Sequence, residues 1–146
     1  MLPDWPDDEV ARITVAWKGL PKSWTVVNSF GASDVWQRVE APVSDFSHAV
    51  FMAGDFRIRK LDISGRTVVV AMRGAWKFTD DASADLVGRI FRVERDFWSD
   101  HSRPYYLVSL IPLEGPPTAL SIGGTGLVDS FATFVTTNTE LPQLRF

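Results

Sequence analysis

Near the start of the chain, Ala11, Ile13, Val15 and Trp17 alternate with Arg12, Thr14 and Ala16, a period of two that sets one face of a strand against a core. Gly19-Leu20-Pro21 interrupts it, and Trp24-Thr25-Val26-Val27, rich in β-branched and aromatic side chains, predicts a second strand. Gly31-Ala32-Ser33-Asp34 is expected to turn the chain before a short strand over 35–39. Ala41-Pro42 is then expected to open a loop ahead of Ala49-Val50-Phe51-Met52. The best-defined hairpin lies between Phe56 and Met72. There Phe56 and Ile58 alternate with Arg57 and Arg59, Ser64-Gly65 supplies the turn, and Thr67-Val68-Val69-Val70-Ala71-Met72 returns.

At Thr79-Asp80 the period changes. Leu86, Val87, Ile90, Phe91, Phe97 and Trp98 fall on one stripe of 3.6-residue spacing, and Arg89, Arg92, Glu94, Arg95 and Asp96 supply most of the polar side. Thr79 or Asp80 can cap the first turn, where Asp80, Asp81 and Asp85 place negative charge, so a helix is predicted over 81–98. After Pro104, Tyr105 to Ile111 reads as a buried strand, Pro116-Pro117 as a loop, and 127–135 as a last extended segment behind Gly123-Gly124-Thr125-Gly126. This order implies an α+β fold, mainly β: antiparallel strands and a hairpin, then one amphipathic helix packed on further strands. The change of pattern divides the chain into a β-rich region over 1–78 and a helix-plus-strand region over 79–146.

Composition narrows the function classes. A chain of 146 residues buries roughly 70% of its extended surface, so its core needs no disulfide or metal staple. The net charge of −3 gives no general attraction to nucleic acid or anionic lipid. With no cysteine there is no thiol nucleophile, disulfide or thiolate metal site. No membrane span is expected, because no apolar run is long enough. Met1-Leu2-Pro3-Asp4-Trp5-Pro6-Asp7-Asp8 is acidic and broken by proline, the reverse of a signal peptide, and nothing in the pattern assigns a compartment. Leu141-Pro142-Gln143-Leu144-Arg145-Phe146 stops on an apolar residue, as a segment cut short would.

Complete catalytic constellations are missing. His48 and His101 each lack the i, i+4 partner of a helical zinc pair, and no Gly-x-Ser-x-Gly elbow accompanies the serines. Gly123-Gly124-Thr125-Gly126 has the glycines of an anion-cradling loop, but no lysine follows, and Leu127-Val128-Asp129-Ser130-Phe131 reads as strand. A bulge or tight turn is the expected role of the glycines, with close approach of another backbone as the alternative. Trp17, Trp76, Phe91 and Trp98 fall on apolar faces and are assigned to the core, whereas Trp5 and Trp36 are candidates for exposure. Arg57, Arg59, Lys60 and Arg66 form a modest basic hairpin without interleaved stacking aromatics.

The order of landmarks resembles the glycyl aminopeptidase family of zinc metallopeptidases, bacterial relatives of the thermolysin-like gluzincins. Gly19-Leu20-Pro21-Lys22-Ser23-Trp24 is similar to the family's turn into a strand, and Phe46 to Phe56, with Gly54-Asp55-Phe56, to its next segment. Val68 to Gly74 followed by Asp80 to Trp98 resembles the strand and helix that open its catalytic domain. Pro104-Tyr105-Tyr106-Leu107-Val108 with the glycine stretch resembles the strand pair beside its active site. The family's H-E-x-x-H helix, which binds zinc and activates water, is matched by no residue here, so the resemblance transfers no catalytic and no metal-binding residue, and zinc is expected only in a full-length parent.

One element of the resemblance carries over. Where the family has Gly-Gly-Leu-Glu-His on a strand at the cleft rim, Gly126-Leu127-Val128-Asp129-Ser130 occupies the slot, with Asp129 for the glutamate and Ser130 for the histidine. Gly123, Gly124 and Gly126 would admit a peptide as an added strand, and Asp129 and Ser130 would lie beside its amino end. The implied protein is the non-catalytic front part of a metallopeptidase: a wall of the cleft, inactive alone, whose partners are a peptide substrate and the remaining catalytic domain. An apolar face normally covered by that domain would allow homodimerisation. The alternatives are a standalone β-rich binding module and a degenerate peptidase homologue used as a scaffold.

Overall fold

After Thr67, Val68-Val69-Val70-Ala71-Met72 is apolar without alternation, and it becomes a strand buried on both faces. The computed structural model describes residues 6–98, 103–116, 118 and 120–144. In chain order the elements are β1 (Val10–Ala16), β2 (Thr25–Asn28), β3 (Gly31–Ala32), β4 (Trp36–Pro42), α1 (Val43–Ser47), β5 (Phe51–Gly54), β6 (Arg57–Asp62) and β7 (Thr67–Met72). Then come α2 (Asp80–Trp98), β8 (Tyr105–Leu113), β9 (Ile122–Leu127), β10 (Ser130–Thr136) and a 3-10 turn at Leu141–Gln143.

Among the described residues the strands form three sheets: β1-β4, β3-β2-β5, and a five-stranded sheet in the order β6-β7-β8-β10-β9. The last joins β6 and β7, from before residue 78, to three strands after it, so one sheet straddles the expected division of the chain. One of its faces packs on α2 through Val68, Val70, Met72, Val108, Leu110 and Val135. The opposite face, with Val69, Ala71 and Leu107, packs on β2 and its neighbours through Val27 and Met52. A smaller core of Ala11, Val39, Val43 and Phe46 joins β1 and β4 to α1.

The fold is α+β and mainly β, as expected. Within it the chain is more mixed than antiparallel: β7 pairs with β8, and β8 with β10, in parallel. Parallel neighbours need a crossover, and α2 supplies it between β7 and β8. The β6–β7 hairpin forms where expected, with Ser64 at φ 57° and Gly65 at φ 75°. Two successive left-handed residues match the right-handed twist of the flanking strands.

Two local expectations are corrected. The chain turns at Ser29-Phe30, and Gly31-Ala32 pairs back as β3, because the Asn28 side chain accepts the Phe30 N–H at 2.8 Å and closes the turn early. Instead of a loop at Ala41-Pro42, β4 runs on to Pro42, paired with Val10, and leads directly into α1.

Helix α2 starts where its sequence indicates: the Ala82 N–H donates to Thr79 Oγ1 at 3.1 Å. Small residues bring it close to the sheet, with Ser83, Ala84, Val87 and Gly88 buried. Its far end departs from the predicted stripe. Phe97 is 75% and Trp98 73% exposed, so Trp98 is not in the core, since the sheet lies under only the earlier turns of the helix.

Candidate functional site

The glycines at 123, 124 and 126 do not form a turn; they lie within β9, which is the outer strand of the five-stranded sheet. Every residue of β9 except Leu127 is exposed. The strand is held on one side only, antiparallel to β10, in a register that pairs Gly126 with Phe131 and Gly124 with Thr133. The Thr136 N–H donates to the Ser121 carbonyl at 3.0 Å, which sets the phase of the ladder. Hydrogen-bonded pairs alternate along an antiparallel ladder, so the N–H and C=O of Ile122, Gly124 and Gly126 point away from β10, toward the open edge.

Glycine is required at one of these positions by a ring. A Cβ on Gly124 would stand 2.6 Å from Phe131 Cε1 and 3.1 Å from the Ala132 carbonyl oxygen. A Cβ on Gly126 would stand 3.9 Å from Phe131 Cδ2, and one on Gly123 would meet nothing. The Phe131 ring therefore leans from β10 across the α2-side face of β9 where Gly124 and Gly126 leave it bare. Its other side helps to line a cavity of about 120 Å³ between α2 and the sheet, with Ile90, Phe91, Tyr106 and Val108.

The two edges of this sheet contrast in charge. On β6, Arg57 holds Asp80 through two bonds of 2.8 and 2.9 Å, and Arg59 Nε donates to Asp81 at 2.6 Å. That edge is guarded by charge and tied to the start of α2; the Arg57 guanidinium also holds the Asp80 carboxyl below the usual carboxylate range. On β9, Ile-Gly-Gly-Thr-Gly-Leu carries no charge at all.

Gly126-Leu127-Val128-Asp129-Ser130, expected as one strand, is divided by a hairpin turn at Val128-Asp129. Asp129 adopts φ 45°, a conformation that aspartate tolerates better than most residues. Its backbone belongs to the scaffold, for its carbonyl accepts the Leu107 N–H at 2.9 Å, while the Val128 N–H donates to the His48 carbonyl at 3.1 Å. Its side chain, 18% exposed, is paired with Arg103, Nη1 to Oδ2 at 3.3 Å. Ser130 is 1% exposed and directs its hydroxyl into the interior, 3.2 Å from that of Ser29. The structure thus brings Gly123, Gly124 and Gly126 together on the edge and sets Asp129 and Ser130 behind it.

Phe131 was not singled out by the sequence reading. Its signal was a hairpin in which two alternating glycines face one aromatic residue, legible only once the turn at Val128-Asp129 is placed. His48 is exposed at the end of α1, with Nδ1 2.8 Å from the Ser44 carbonyl, and His101 lies outside the described residues. Among the described residues no three His, Asp or Glu side chains gather as metal ligands. Among them, too, no helix is long and apolar enough to cross a membrane.

No protein-family model matches the chain, and no curated protein does. Solved structures do. An aminopeptidase N family protein from Idiomarina loihiensis aligns with a TM-score of 0.61 and 16% identity over 84% of this chain. A two-domain M1 zinc metallopeptidase, an E323A mutant bound to L-arginine, aligns with a TM-score of 0.46 and 18% identity over 90% of this chain. The chain spans 21% of the first of these proteins and 31% of the second. Its fold is that of a segment of an aminopeptidase N family protein.

Proposed function

We propose that this chain is the non-catalytic front part of an aminopeptidase-like metallopeptidase and that β9 is the wall on which an extended peptide is held. The observation that carries this reading is an open, uncharged, glycine-rich strand at the edge of a sheet whose fold occurs within an aminopeptidase. Exposed edges are normally blunted by charge, proline or cover, as β6 is. Left bare, an edge adds a partner strand through main-chain hydrogen bonds, and here Ile122, Gly124 and Gly126 present them. Hydrolysis belongs to residues of the remaining catalytic domain, which also covers the apolar end of α2 at Val93, Phe97 and Trp98. Asp129, tied to Arg103, steers a peptide's amino group only from a distance.

Proline at position 122 tests the edge. It deletes one outward N–H and leaves the bonds to β10 intact, a placement that edge strands tolerate. Ile122→Pro is expected to keep the thermal unfolding midpoint within a few degrees while weakening binding of a labelled pentapeptide about tenfold. Unchanged affinity, or stoichiometric zinc and aminopeptidase turnover in the isolated chain, defeats the proposal.

A further inference from the structure

The reading of β9 as a peptide-holding edge leaves open which peptides it would hold, and the floor of that edge bears on the question. A peptide strand laid along β9 presents alternate side chains to the α2 side, where each would ordinarily meet a side chain of the neighbouring strand. Gly124 and Gly126 offer none. Ile122 supplies a side chain at the start of the strand; over the two glycines the side chain reached on that face is the ring of Phe131, drawn over the position a Cβ would take on Gly124. A small residue of the peptide would leave this ring edge in water, and a long apolar one would cover it. A charged residue would be desolvated against the ring without a partner on β9, none of whose six residues is charged.

Resting on the peptide-edge reading, we infer that Phe131, displayed across the glycine floor of β9, selects extended peptides with a large aliphatic or aromatic residue facing α2. The site takes neutral, apolar β-forming segments and disfavours charged ones. Phe131 acts by contact with the peptide side chain; the glycines act by leaving room for it.

The test uses the full chain and two defined peptides, Thr-Leu-Thr-Leu-Thr and Thr-Ala-Thr-Ala-Thr. The leucine peptide is expected to bind about tenfold more tightly, in keeping with the burial of one aliphatic side chain. Nuclear Overhauser contacts are expected between its methyl groups and the Phe131 ring, with amide shifts at residues 122, 124 and 126 for both peptides. Gly126→Asn puts a polar side chain on the floor at a position with room for a Cβ, and is expected to bring the two affinities within about twofold without loss of thermal stability. If both peptides shift the edge amides but bind equally, or if Gly126→Asn leaves the preference untouched, the selection by Phe131 is overturned while the peptide edge stands. If neither peptide shifts those amides, or if concentration-dependent pairing of two copies protects them instead, the edge reading fails and the selection with it.

Discussion

At the scale of single residues, Gly123, Gly124 and Gly126 are equivalent in composition and different in consequence. Gly124 lies under the Phe131 ring and beside the Ala132 carbonyl, whereas Gly123 faces open space. Alanine at 124 must displace the ring against a backbone that cannot follow, so Gly124→Ala is expected to cost about 1–2 kcal/mol in urea denaturation. Gly123→Ala should be neutral or stabilising by about 0.5 kcal/mol, because it removes backbone entropy from the unfolded chain and meets nothing in the fold. Equal losses at the two positions would show that Phe131 does not cover the strand. Asp129 and Ser130 mark what residue identity leaves unsaid. Both are polar and follow the glycines, yet one is drawn into an ion pair with Arg103 and the other buried against Ser29.

At the scale of elements, the start of α2 is held to β6 by charge. Arg57 grips Asp80 with two hydrogen bonds, and Arg59 takes Asp81. The hydrogen bonds from Arg57, and then its charge and that of Arg59, keep the Asp80 carboxyl below its ordinary value of about 3.9. A carboxyl whose folded value is depressed contributes stability above its unfolded value and loses it as pH falls toward the folded one. The linkage therefore operates below about pH 4 and vanishes once both states are protonated. Asp80→Asn is expected to cost about 0.5–1 kcal/mol at pH 7 and to flatten the fall in stability below about pH 4. Urea midpoints of the two proteins across that window check it; parallel curves would show that the pair contributes nothing.

At the scale of the whole molecule, the three-stranded sheet is joined to the five-stranded one by apolar packing and by two polar ties. Tyr105 on β8 donates its hydroxyl to the Asn28 carbonyl on β2 at 3.1 Å, and Ser29 meets Ser130 at 3.2 Å. Burial pushes the Tyr105 hydroxyl well above its usual value. A raised tyrosine contributes stability that is whole below about pH 10 and is lost as pH rises past that point, when the unfolded state ionises first. Tyr105→Phe is expected to lower stability by about 1 kcal/mol near neutrality and to shift the onset of alkaline unfolding upward. A variant that unfolds in base at the same pH as the parent chain would show that Tyr105 is not the titrating group. Joined in this way, the sheets form a body in which β9 is the uncharged edge of the five-stranded sheet.

The sequence alone determined the elements whose cause is local. The β6–β7 hairpin follows from alternation closed by Ser64-Gly65, the start of α2 from Thr79, and the buried strands from their β-branched runs. Its resemblance also pointed to the fold of an aminopeptidase segment. Tertiary structure decided everything that depends on a neighbour distant in the chain. Parallel pairing of β7, β8 and β10 is a choice among strands that look alike in isolation, made where α2 crosses between β7 and β8 and where β9 is passed on the way from β8 to β10. The glycines could have made a turn or a strand, because glycine favours neither; β10 and the Phe131 ring settled the matter by offering a ladder and a surface. Periodicity records which side of an element is apolar, and only packing shows whether anything lies against it: the same stripe of α2 is buried at Val87 and bare at Phe97.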